Sequence, residues 1–141
     1  IRTMSKAFAF AGARVGYLIA DPVVVDAMLL VRLPYHLSAL TQAAAVVALE
    51  YRRELLGSVA SLITARDGLA SALNALGLTT LPSAANFILF TGFKSSAPRL
   101  WQELLDKGVL IRDVGLSSYL RVTIGNEAEN KAFINALTEL L

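Results

Sequence analysis

Apolar and polar positions follow different rhythms along this chain, and each rhythm predicts its own kind of element. Arg14-Val-Gly-Tyr-Leu-Ile-Ala20 is a short apolar run rich in aromatic and β-branched residues, bounded by glycine and an Asp-Pro pair, and predicts a buried strand. Asp21 and Pro22 then predict the N-cap and first position of a helix reaching about Arg32, which Leu33-Pro34 breaks. An alanine-rich helical pattern follows from about Ser38 to Leu56 and, past Gly57, from Ser58 to Leu76, with Gly77 as its stop. Glu50, Arg52, Arg53 and Glu54 give that pattern one solvated face.

Beyond the turn at Leu81-Pro82-Ser83 the period changes. Asn86–Thr91 predicts a strand, and Ala97–Lys107 a short helix stopped by Gly108. Val109–Asp113 and Tyr119–Ile124 predict two further strands, and their connection through Val114–Ser118 is short enough for an antiparallel pair. Asn126 with Glu129 predicts a capping box opening a last helix to Leu141. The expected organisation is a strand–helix piece over residues 1–59 and a β-α-β-β-α domain over residues 60–141. One strand and one helix do not enclose a core, so the first piece is not expected to fold alone.

Composition sharpens this picture. Of 141 residues, 55% are hydrophobic and only 17% charged, which rules out disorder and leaves more apolar surface than a small body easily hides. The net charge of +2 is too small to imply a polyanionic partner such as nucleic acid. Cysteine is absent, which removes disulfides, thiolate nucleophiles and Cys-ligated zinc and fits a reducing cytosol. The lone His36 cannot build a histidine-rich metal site. The longest apolar stretches fall short of a membrane span, and Arg2 and Lys6 speak against a signal peptide, so a cytoplasmic location is expected.

Candidate chemistry is densest in the first 17 residues. Lys6 lies in Ser5-Lys6-Ala7-Phe8, Arg14 lies in Ala11-Gly12-Ala13-Arg14-Val15-Gly16-Tyr17, and no acidic residue precedes Asp21. A lone lysine is ordinarily a solvated surface residue. Small apolar neighbours disfavour the ammonium form, and a partly desolvated lysine is a nucleophile towards an aldehyde. The glycines flanking Arg14 allow backbone and guanidinium to approach a phosphate closely. Elsewhere, Arg112 and Arg121 fall on the two strands expected to pair, where both guanidiniums can reach one anion. His36, Trp101, Phe133 and Asn86 read as packing or local bonding.

The pattern Thr3-Met-Ser-Lys-Ala-Phe-x-x-Ala-Gly-x-Arg-x-Gly-Tyr17 resembles the cofactor-lysine segment of the fold-type I, class I/II pyridoxal-phosphate aminotransferases. Leu33–Ser38, Ala85-Asn86-Phe87, Gly108–Asp113 and Tyr119–Gly125 resemble, in order, the C-terminal half of the branch of that family acting on histidinol phosphate. The resemblance spans essentially the whole chain but under half of a typical member. It implies an α/β fold: the end of the large domain, followed by a small α/β domain with an antiparallel sheet. It further implies that Lys6 holds pyridoxal 5′-phosphate covalently and carries the substrate proton, with Arg14 and Ser5 on the cofactor phosphate. Arg121 would take the substrate's anionic end and Arg112 the phosphate of histidinol phosphate. Glutamate or 2-oxoglutarate would be the other substrate, in a homodimer. The acid and tyrosine that contact the cofactor ring are expected upstream of the matched region, so the chain is expected to be a fragment, inactive alone. Two alternatives stay open: an aromatic amino acid aminotransferase of the same family, and a non-catalytic α/β assembly module.

Overall fold

A computed structural model describes all residues, Ile1–Leu141, and the chain divides into two compact units, Ile1–Ala60 and Ser61–Leu141. In the first, β1 (Arg2–Thr3) pairs antiparallel with β2 (Gly16–Tyr17). The strand expected over Arg14–Ala20 is therefore regular for only two residues, because β1 is the only segment that pairs with it. Helix α1 (Pro22–Val31) starts where Asp21 was expected to cap it, its carboxylate accepting from the Val23 N–H at 2.9 Å. Ser38 caps α2 (Ala39–Glu50) in the same way, its hydroxyl accepting from the Thr41 N–H at 3.1 Å.

The long helical pattern breaks at Tyr51 and not at Gly57. Tyr51 adopts φ −89° and ψ 21°, so α2 ends there and α3 (Arg52–Ala75) runs through Gly57 and into the second unit. A single interior glycine costs a helix about 1 kcal/mol, which the surrounding good helix formers absorb. At the other end the expected stop holds: Gly77, at φ +81°, donates to the Asn74 carbonyl while Leu78 donates to the Leu73 carbonyl. That pair of bonds is a Schellman cap, sealed by the buried Leu73 and Leu78.

The second unit is a four-stranded antiparallel sheet in the order β3 (Thr79–Thr80), β4 (Phe87–Thr91), β6 (Leu120–Thr123), β5 (Arg112–Asp113). β5 and β6 pair antiparallel across the Val114–Ser118 connection, as their short link predicts. Strand alternation sends Ile88, Phe90, Leu120 and Val122 to one face, all buried. There they meet Leu69 and Leu73 of α3, Leu100 and Leu104 of α4 (Ala97–Asp106), and Phe133 and Leu137 of α5 (Glu127–Thr138). Phe90 packs edge-on against both Phe93 and Phe133, with ring centroids 6.0 Å apart in each case. The capping box closes as expected: Glu129 N–H donates to Asn126 Oδ1 at 2.9 Å, and Asn126 N–H to Glu129 Oε2 at 2.7 Å. Lys107 joins Glu139 across 2.6 Å, tying the end of α4 to the end of α5 and holding the Glu139 carboxyl below the usual range.

The first unit buries far less. Met4 and Ala45 are its only buried residues, and α1 has none, with Leu30 exposed at 87% and Leu40 of α2 at 84%. No helix is long and apolar enough to cross a membrane. Exposed apolar surface on this scale drives association in water. The 141-residue chain on its own is expected to elute from a sizing column as multimers or aggregate, and a sharp monomer peak across a dilution series would contradict this.

Candidate active site

The Lys6 segment is a closed loop. Its base is β1 against β2, extended by the Met4 N–H donating to the Val15 carbonyl at 3.2 Å. Phe10 N–H donates back to the Met4 carbonyl, and Ala9 N–H to the Lys6 carbonyl at 2.9 Å, which folds the tip into a turn. Met4 is buried and anchors the loop. Ser5 is half-buried and Lys6 exposed, and Lys6 has no ion pair. A 3-10 turn over Ala11–Ala13 leads to Arg14, whose guanidinium donates to the Ala11 carbonyl at 3.0 Å and meets no carboxylate.

The backbone of this loop is unusual. Ala9 and Arg14 take φ of 51° and 52°, left-handed conformations that L side chains rarely adopt and that concentrate at functional sites. Gly16 has a separate reason to be glycine. A Cβ there would lie 2.5 Å from the Arg2 carbonyl oxygen, so this position of the motif is required by the close approach of β1. An amine, a guanidinium and a hydroxyl thus share one loop without a carboxylate among them, a donor set suited to an anionic aldehyde.

The second group lies on the sheet of the other unit, on the face turned away from the core. Arg112 of β5 and Arg121 of β6 are direct cross-strand partners, and Leu89 of β4 extends the row. Neither arginine has an ion pair, and the neighbouring Asp113 accepts the Gly115 N–H at 2.8 Å. Like charges directly opposite each other destabilise a sheet unless an anion lies between them. Arg112 is exposed. Arg121 is half-buried, its guanidinium carbon 4.7 Å from the Phe87 ring centroid, and its Nε is buried with no hydrogen-bond partner.

Two contributions escaped sequence reasoning. Trp101, expected only to pack, also donates its indole N–H to the Ile111 carbonyl at 2.9 Å, fixing the residue before Arg112. Phe87, read in the sequence as part of a strand and of the Ala85-Asn86-Phe87 segment but given no role, carries the Arg121 guanidinium over its ring. The available signal was an aromatic residue on the non-core register of β4. His36 is exposed and bonded to nothing, and Asn86 accepts the Ile124 N–H at 3.0 Å through its backbone carbonyl.

A helix-backed antiparallel sheet and a lysine loop closed by a strand pair match part of the fold of solved aminotransferases. The chain belongs to the class I and II aminotransferase family, whose sequence model matches residues 1–137. It is 62% identical over 135 residues to the histidinol-phosphate aminotransferase of Mycolicibacterium vanbaalenii, a match covering 96% of this chain and 36% of that protein. The chain therefore spans about a third of the length of such relatives. Its structure is similar to histidinol-phosphate aminotransferase from Sinorhizobium meliloti, solved with pyridoxal-5′-phosphate (TM-score 0.80, 29% identity, 98% of this chain and 39% of that one). It is also similar, at the same identity and a higher TM-score, to L-threonine-O-3-phosphate decarboxylase from Porphyromonas gingivalis (TM-score 0.87, 29% identity, 98% and 45%).

The crossing of β1 and β2 yields a test of the loop. Gly16→Ala in the protein carrying this chain is expected to force β1 aside and cost about 1–3 kcal/mol, as overpacking does. Chemical denaturation would measure it, and an unchanged midpoint would show that β1 does not depend on this contact.

Proposed function

We propose that this chain is the part of a pyridoxal-phosphate-dependent aminotransferase that supplies the cofactor lysine and the substrate-binding arginines, and that the enzyme transfers an amino group between histidinol phosphate and 2-oxoglutarate. The observation that carries the reading is the Lys6 loop: an amine and a guanidinium at the family's spacing, on one strained closed loop with no acidic residue. In this reading residues 1–59 are the end of the large domain and residues 60–141 the small domain. The identity to histidinol-phosphate aminotransferases supports the substrate. The decarboxylase likeness is a reminder that the fold alone does not select the reaction. A homodimer working in the cytoplasm belongs to the same reading, and the exposed apolar helices α1 and α2 support the dimer.

The donor set fits pyridoxal phosphate: Arg14 and the Ser5 hydroxyl would hold the phosphate, and Lys6 would take the carbonyl carbon. When bound, the cofactor supplies an electron sink for the charge that develops at the substrate Cα. Lys6 then has two tasks. Its amine would hold the cofactor and, once free, would carry the proton taken from the substrate Cα. Arg121 and Arg112 receive the anionic groups of the two substrates, relieving the repulsion of two opposed cations.

Lys6→Ala is expected to lower kcat by about 10²–10⁴-fold or more, because the nucleophile and the proton carrier are lost together. Turnover near the wild-type rate would remove Lys6 from the mechanism. Arg121→Lys keeps the charge but loses the planar fork, and is expected to weaken both substrates. Arg112→Gln is expected to raise KM for histidinol phosphate by about tenfold or more, the scale of a charge-assisted hydrogen bond, with a smaller effect on glutamate. Equal losses for both substrates would contradict a phosphate role for Arg112.

A further inference from the structure

We propose that Phe87 is a positioning residue for Arg121, fixing the plane of its guanidinium so that one edge is presented to the carboxylate of the substrate. The inference rests on the reading of Arg121 as a substrate-binding residue. Phe87 and Arg121 lie on adjacent strands, on the face of the sheet that carries no core. The register pairs Phe87 with Thr123 and Leu89 with Arg121, so Phe87 and Arg121 are diagonal neighbours within reach of one another. The guanidinium carbon lies 4.7 Å from the ring centroid, a cation–π distance.

A ring at this distance shields one side of the guanidinium and leaves its nitrogens to make hydrogen bonds. One edge contains Nε, which is buried and has no acceptor anywhere in the chain. A buried donor without a partner is uncommon and calls for an explanation. Nε and its neighbouring terminal nitrogen form a fork matching the two oxygens of a carboxylate, so a bound carboxylate would satisfy the orphan. Arg112 differs in kind: it is exposed and has no aromatic partner. Of the two opposed arginines, Arg121 is the one whose orientation is set before substrate arrives, and Phe87 sets it. Pre-set orientation strengthens binding because less side-chain freedom is lost when the ligand docks.

The test uses the holoenzyme that carries this chain, with steady-state kinetics for glutamate and calorimetric titration of succinate, a dicarboxylate with no amino group to react. Phe87→Leu is expected to raise the glutamate KM and the succinate Kd by roughly 3- to 30-fold, the range of a cation–π contact. kcat should stay within about twofold, since the lost interaction is one of binding. Phe87→Tyr, which keeps the ring, is expected to restore both constants. In an Arg121→Lys background Phe87→Leu should add little, because the fork it positions is already gone. If the leucine variant loses its fold, Phe87→Ile suits a strand and gives the same comparison. Unchanged constants in Phe87→Leu beside weakened binding in Arg121→Lys would overturn the role of Phe87 while leaving that of Arg121. Unchanged binding in Arg121→Lys would overturn the reading beneath it, and losses as large in Phe87→Tyr as in Phe87→Leu would overturn the stacking argument.

Discussion

Register between β4, β6 and β5 is the constraint on which the second unit depends. Because side chains alternate with a period of two, one choice of pairing fixes both faces of the sheet. It sends Ile88, Phe90, Leu120 and Val122 inward to the helices and leaves Phe87, Leu89, Arg121 and Arg112 on the other face. A slip of one residue in β6 would bury Arg121 and expose Leu120 and Val122. The hydrophobic core therefore places the arginines. Stability and the placement of the two arginines are set by the same hydrogen-bond ladder, and the Trp101 indole bond to Ile111 adds a second tether to its outer strand.

The Lys6 loop rests on a different constraint. Little apolar surface is buried beneath it, and its shape comes from backbone bonds at its base, from the glycine that lets β1 cross β2, and from two residues held at positive φ. A loop so held costs conformational energy, and such conformations persist where the surrounding structure fixes them. The apolar helices of this unit are largely exposed, in keeping with a chain that spans about a third of the length of its relatives. Contacts with further protein would complete the packing that α1 and α2 lack.

Elements with local signals were legible in the sequence. Asp21 before Pro22, Ser38 before an alanine run, Asn126 with Glu129, and Gly77 and Gly108 each act within a few residues of themselves, and each starts or ends a helix where its chemistry requires. The break at Tyr51 was not legible, because no glycine or proline marks it. β1 and β3, two residues each, exist only through partners elsewhere in the chain, so no local pattern announces them. Lys6, Ser5 and Arg14 in one unit and Arg112 and Arg121 in the other were proposed from the motifs they lie in. Their surroundings were not: the closure of the loop, the Gly16 contact and the Phe87 stack follow from pairing at a distance.

In the proposed function Lys6, among the lysines of this chain, is the residue that holds the carbonyl cofactor. Lys94, Lys107 and Lys131 all lie in the second unit, and Lys107 is paired with Glu139. The direct measurement is to load the protein carrying this chain with pyridoxal phosphate, reduce it with borohydride, digest it and locate the modified lysine by mass spectrometry. The reduced cofactor is expected on the peptide containing Ser5-Lys6-Ala7-Phe8 and on no other peptide of this chain. Modification centred on Lys94, Lys107 or Lys131, with Lys6 unmodified, would contradict it.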